Sequence, residues 1–121
     1  MNYESTWQYA SKTFPGVTVR LRRISFSKRS ELIREIAPLA ARTQALSASS
    51  LGDELAEAAV LRRTIANVVL DWGLLEVSGL TIDGIPAKKE TLIHEGPEEL
   101  TLEILQQLKR QVSLSEEEIK N

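Results

Sequence analysis

The stretch Asp53–Gly84, DELAEAAVLRRTIANVVLDWGLLEVSGLTIDG, decides how the chain is read. Up to Trp72 its apolar residues recur at helical spacing; after Gly73 they lie in short extended runs that close on Asp83-Gly84. Leu55, Ala58, Ala59, Leu61, Ile65, Ala66, Val68, Val69, Leu70 and Trp72 cover roughly 200° of a helical wheel, against the ~100° stripe of an ordinary surface helix. So apolar a helix needs cover on two sides, and Asp53–Trp72 is expected to be the central and mostly buried element. Gly73 predicts a left-handed cap that ends it. Leu75–Ser78 then reads as extended chain, and Leu80–Ala87 as a hairpin around the two-residue turn Asp83-Gly84. Pro86 has no N–H to give a ladder, so the return strand belongs at a sheet edge or stops there.

Upstream, Phe14-Pro15-Gly16 is turn chemistry, and Val17–Arg22 alternates at period two with Val17, Val19 and Leu21 facing inward. Continuing that alternation would bury Arg23, so the strand must bulge or end near Arg22, and an end is expected. Tyr3, Trp7 and Tyr9 alternate among polar residues, which suggests either a strand or, over residues 1–14, a loose end. Ser25 or Ser27 can cap a helix over Ser27–Leu46, whose apolar arc leaves Pro38 on the charged side, where the helix either kinks or breaks in two. Ser50 or Asp53 can cap the long helix that follows.

Downstream, Lys88–His94 suits one or two helical turns. Gly96-Pro97-Glu98-Glu99 opens a helix over Pro97–Val112, with proline first and two carboxylates near its positive end. Leu100, Ile104, Leu105, Leu108 and Val112 share about 140° of its wheel and read as core, whereas Leu102 falls outside. Ser115-Glu116-Glu117-Glu118 resembles another capping box, within a stretch, 113–121, expected to be a second loose end. The expected fold is α+β in one domain: a central apolar helix packed by two further helices and a small antiparallel sheet from Val17–Arg22 and Leu75–Ala87.

The chain has 121 residues, enough for a core without staples, and no cysteine, which removes disulfides and thiolate chemistry. The formal net charge of −2 exerts no general pull on nucleic acid. Cations nonetheless cluster early, at Arg20, Arg22, Arg23, Lys28 and Arg29, while glutamates dominate from Glu95 onward. No apolar run approaches the ~18 residues of a membrane span, and the first residues lack the basic and apolar regions of a signal peptide, so a cytoplasmic protein without membrane contact is expected.

Few residues can converge for catalysis. His94 is the only histidine and reads as a solvated helix-end residue rather than a general base. Asp53, Asp71 and Asp83 lack calcium-loop spacing, and no glycine-rich loop joins a strand to a helix, so no metal, cofactor or phosphate site is expected. The cluster Arg20, Arg22 and Arg29, with Trp7 and Phe26 nearby in sequence, offers phosphate contacts and base stacking, but a solvated face explains it more simply. Arg62 lies inside the apolar arc of the long helix and should meet a carboxylate or reach water. Val60, Leu102 and Leu114 are candidate exposed apolar contacts for a partner.

One set of residues carries a likeness. Pro15-Gly16-Val17, Ser25-Phe26 with Arg29, Trp72-Gly73-Leu74, Gly79-Leu80, Ile82-Asp83-Gly84, Pro86-Ala87, Leu92-Ile93, Gly96-Pro97-Glu98, Glu103-Ile104 and the ending Leu114–Glu118 with Lys120-Asn121 resemble small phage and prophage proteins, most of all the tail assembly chaperones of long-tailed phages. These motifs are structural punctuation over most of the chain. The resemblance implies a non-enzymatic, cofactor-free protein of the bacterial host's cytoplasm that binds the tape measure protein, keeps it soluble and helps recruit tail tube subunits. It assigns no contact residue and no oligomeric state. Many members of that family have a frameshifted longer form, and Ile119-Lys120-Asn121 is compatible with a slippery A-AAA-AAC heptamer; interrupted lysine codons in the gene, with no overlapping frame, would remove this idea. A structural head–tail connector or tail completion protein, and a small nucleic-acid-binding regulator, are the alternative readings.

Overall fold

A computed structural model describes residues 1–112; the candidate contact Leu114, the capping box at Ser115 and the ending Ile119-Lys120-Asn121 lie outside the described residues. The fold is α+β, with helices packed together beside two small antiparallel sheets. Its contacts gather into two compact units, Met1–Ile24 with Leu70–Gln111, and Ser25–Val69 with Val112.

The first unit is built on a three-stranded antiparallel sheet of β1 (Thr6–Ala10), β2 (Thr18–Arg22) and β3 (Leu74–Ser78), in the order β1-β2-β3. β1 occupies the region for which the sequence allowed a strand or a loose end. Val17, Val19 and Leu21 are buried and Arg20 and Arg22 exposed, as period two demands. β2 stops at Arg22, so the alternation never has to bury Arg23. The irregularity falls on its neighbour instead. Leu21 pairs with Leu74 but Arg20 pairs with Glu76, which makes Leu75 the extra residue of a bulge. The shift lets Leu74 and Val77 both face inward although they are three positions apart, and puts Glu76 outward opposite Arg20.

β4 (Thr81–Ile82) and β5 (Ile85–Pro86) form the expected hairpin, with positive φ at Asp83 (52°) and Gly84 (81°). Those angles suit a type I′ turn, the two-residue turn whose twist matches its strands. Pro86 is the last residue of its strand. The hairpin is a separate two-stranded sheet and does not extend the first, contrary to the single sheet expected. α3 (Lys89–Glu95) buries Leu92, and α4 (Glu98–Val112) buries Leu100, Ile104, Leu105 and Leu108, the arc read from its wheel.

Gly73 does not adopt the left-handed cap expected of it. It closes α2 (Gly52–Gly73), its φ is not positive, and β3 follows with no connecting loop. Its lack of a side chain matters there by proximity, because a Cβ would meet Cδ2 of the buried Leu108 on α4, which would have to move.

The second unit is helical. α1 (Phe26–Ser47) is capped by Ser25, whose Oγ accepts from Lys28 N at 3.1 Å. It runs unbroken through Pro38, which is exposed, so the Arg34 carbonyl that loses its N–H partner is on the solvated side and the two-helix alternative is not adopted. α2 contributes residues 52–69 to this unit and 70–73 to the first. It begins at Gly52, so Asp53 lies in the first turn with Glu54 rather than before it. Arg42 of α1 pairs with Glu57 of α2 at 2.7 Å, and Arg62 of α2 donates to Ser47 Oγ at 2.6 Å.

The expectation that α2 is mostly buried fails along this part. Among residues 52–68 only Ala58 is buried, with Glu54, Leu61, Ile65, Ala66 and Val68 half-buried. The covered face is a narrow stripe with the spacing of a coiled-coil seam, and Leu55, Ala59 and Val60 stand outside it. α1 supplies Leu32, Ile36, Thr43 and Leu46 to the buried residues of this unit.

Candidate partner-binding surfaces

The three arginines proposed for partner contact serve different ends. Arg22 Nε donates to the carbonyl of Trp72 at 3.1 Å, and Arg29 donates to the carbonyl of Val112; each guanidinium satisfies a carbonyl near the end of a helix, where the macrodipole favours a cation. Both therefore have structural work. Arg20 lies on the solvated face of the sheet, where it donates to Thr6 Oγ1 at 3.1 Å and meets Glu76 at 3.9 Å. With Gln8, Thr18, Val19, Glu76 and Ser78 it lines a shallow polar depression.

The two aromatics named for base stacking fall in different units. Trp7 is half-buried and packs edge-to-face on Tyr9 with centroids 5.9 Å apart, and belongs to the first unit; Phe26 belongs to the second. Lys28 pairs with Glu31 at 3.1 Å. Arg62 is exposed and bonds to a hydroxyl, so of the two outcomes expected for it, water is realised and an internal ion pair is not. His94 is exposed in the last turn of α3, and among the described residues no group of three or more His, Asp or Glu side chains is placed to hold a metal ion.

The apolar candidates are exposed. Val60 is 63% accessible and Leu102 44%. Other exposed apolar residues were not read as apolar contacts: Phe26, named above for base stacking and the first residue of α1, is 91% exposed, and Leu51, just before α2, and Leu55 in its first turn are exposed too. Phe26 was legible as an aromatic next to a cap, but Leu55 was hidden by the width of the apolar arc, which ranks every member as core.

The most connected polar group was not singled out either. Glu103 of α4 accepts from Tyr9 Oη, Ser11 Oγ and the Lys12 N–H, each at 2.7 Å, and Ser11 Oγ accepts in turn from Phe14 N at 2.9 Å. Burial pushes its carboxyl up, but the bonds from Lys12 N–H and the Ser11, Tyr9 and Thr13 side chains outweigh this, and the group lies below its ordinary value. Tyr9 is moved the other way, first by burial and then by its bond to Glu103 and the charge there, with Arg110 and Gln107 opposing. Both carboxylate oxygens are engaged by the end of β1 and the turn after it, so this is a latch between α4 and that part of the chain.

Trp72 Nε1 is buried with no hydrogen-bond partner among the described residues. Against protein-family models, curated proteins and solved structures, the chain shows no significant match.

Proposed function

We propose that this protein is a non-enzymatic tail assembly chaperone of a phage or prophage, which covers apolar helical segments of a tape measure protein and releases them as the tail tube assembles. The observation that carries the reading is the exposure of Leu51, just before α2, and of Leu55 and Val60 on it, apolar side chains that the chain leaves uncovered. Exposed apolar side chains grouped on one element mark interaction surfaces, and a helix whose apolar arc is wider than its internal cover suits a helical partner that is bound moderately and given up. The likeness noted in the sequence names the partner.

Co-expression with the products of neighbouring genes tests this. A tape-measure-like protein should gain solubility and co-purify with the chain, and the double variant Leu55→Ser, Val60→Ser should lose that capture while keeping its helical circular dichroism. The reading fails if nothing tape-measure-like is solubilised, or if the double variant captures it as well as the parent chain does.

A further inference from the structure

β1 is an edge strand of the sheet β1-β2-β3. Arg23 N donates to Ser5 O at 2.8 Å and Ser11 N to Val17 O at 2.9 Å, and the register runs Thr6↔Arg22 to Ala10↔Thr18. Because opposite residues of an antiparallel ladder alternate between bonded and non-bonded pairs, Ser5, Trp7, Tyr9 and Ser11 turn their backbone groups toward β2. Thr6, Gln8 and Ala10 turn theirs away from it, and no strand lies beyond them among the described residues. The usual protections of an edge are missing, since Thr6–Ala10 contains no proline, no charged side chain and no bulge.

We propose that β1 pairs antiparallel with β1 of a second copy of this chain about a twofold axis through Gln8, joining two three-stranded sheets into one of six. In that register Gln8 faces Gln8 of the other copy and Thr6 faces Ala10, so every outward N–H and C=O of the strand finds a partner. The same register places Trp7 opposite Tyr9 in a close non-bonded pair on the inward face, so two half-buried aromatics gain cover from two more. It also places Glu4 opposite Lys12 at both ends. Neither side chain has an ion-pair partner within the protomer among the described residues, and this complementarity exists only in the antiparallel sense. Hydrogen-bond parity, aromatic pairing and charge thus select one alignment, as a self-complementary twofold contact requires. The proposal stands apart from the chaperone reading and concerns a different surface.

Sedimentation of the full chain up to about 1 mM, a range suited to a small interface, should show a mass that rises toward twice the protomer's. Gln8→Pro removes an N–H that points away from β2, so circular dichroism and the urea midpoint should be retained while the association is lost. Glu4→Lys and Lys12→Glu should each weaken association about tenfold at low salt, and the double charge swap should restore it. A wild-type chain that stays monomeric at the highest concentration overturns the proposal. So does a dimer that survives Gln8→Pro, a dimer that only Leu55→Ser, Val60→Ser disrupts, or single charge reversals without effect or without recovery in the swap.

Discussion

Gly79 shows how much one missing Cβ can decide. Its φ is +81°, and a Cβ would overlap the carbonyl oxygen of Gly16, itself at φ +89° in the Pro15-Gly16 turn. Two positive-φ glycines therefore allow the β1–β2 turn to close against the end of β3. Alanine at position 79 meets an unfavourable backbone region and immovable backbone atoms together, so Gly79→Ala should destabilise the chain by about 3 kcal/mol, read as a lower urea midpoint. Gly84→Ala should cost only about 1 kcal/mol, because a Cβ there meets nothing and the φ penalty stands alone. Glu103 makes a prediction about pH. Its folded carboxyl titrates below the ordinary value near 4.5, so its contribution is present above that pH and is lost as pH falls through the folded value. Glu103→Gln should lower the urea midpoint at pH 7 yet give a shallower decline between about pH 5 and 3 than the parent chain shows. Tyr9, raised from 10.0, has the opposite sign: its contribution holds below that pH and fades as pH climbs through the folded value.

At the scale of elements, what was readable in the chain was local. The Asp83-Gly84 turn, the Ser25 cap, the inward Val17, Val19 and Leu21, and the core arc of α4 depend on neighbours within a few positions, and each is realised. What was not readable depends on distance along the chain. A helical wheel ranks Leu55 with Ile65 because it records periodicity and not how many neighbours arrive to cover it; in the structure Ile65 is half-buried and Leu55 exposed. Gly73 was misjudged for the same reason. Its neighbours suggested a cap, while the group that a side chain there would meet is Leu108, supplied by α4. The Glu103 latch joins residues more than ninety positions apart, and no local pattern announces it.

Over the whole molecule, the two compact units differ in how they are held. The first has two sheets, the Glu103 latch and a set of fully buried leucines; the second has two long helices whose buried set includes the small or polar residues Ala58 and Thr43. Both tryptophans, Trp7 and Trp72, belong to the first. Tryptophan emission therefore follows that unit, while far-ultraviolet circular dichroism is weighted toward α1 and α2. In a urea titration the helical signal should be lost first, with a midpoint about 0.5 M or more below the fluorescence midpoint. Coincident curves would defeat this expectation.

The bulge at Leu75 makes that position tolerant of a change in chain length. With Leu75 deleted, Leu74, Glu76, Val77 and Ser78 would follow one another in strict alternation and keep their partners Leu21, Arg20, Val19 and Thr18. A shortened chain of this kind should still fold, losing only what a half-buried leucine contributes, about 1 kcal/mol, and circular dichroism with a urea midpoint would show it. A deletion within β2, such as at Arg20, would turn the residues on one side of the gap to the wrong face and should not fold. Insertions and deletions among sequences of this fold should therefore gather where α2 passes into β3, a junction with no loop to absorb them.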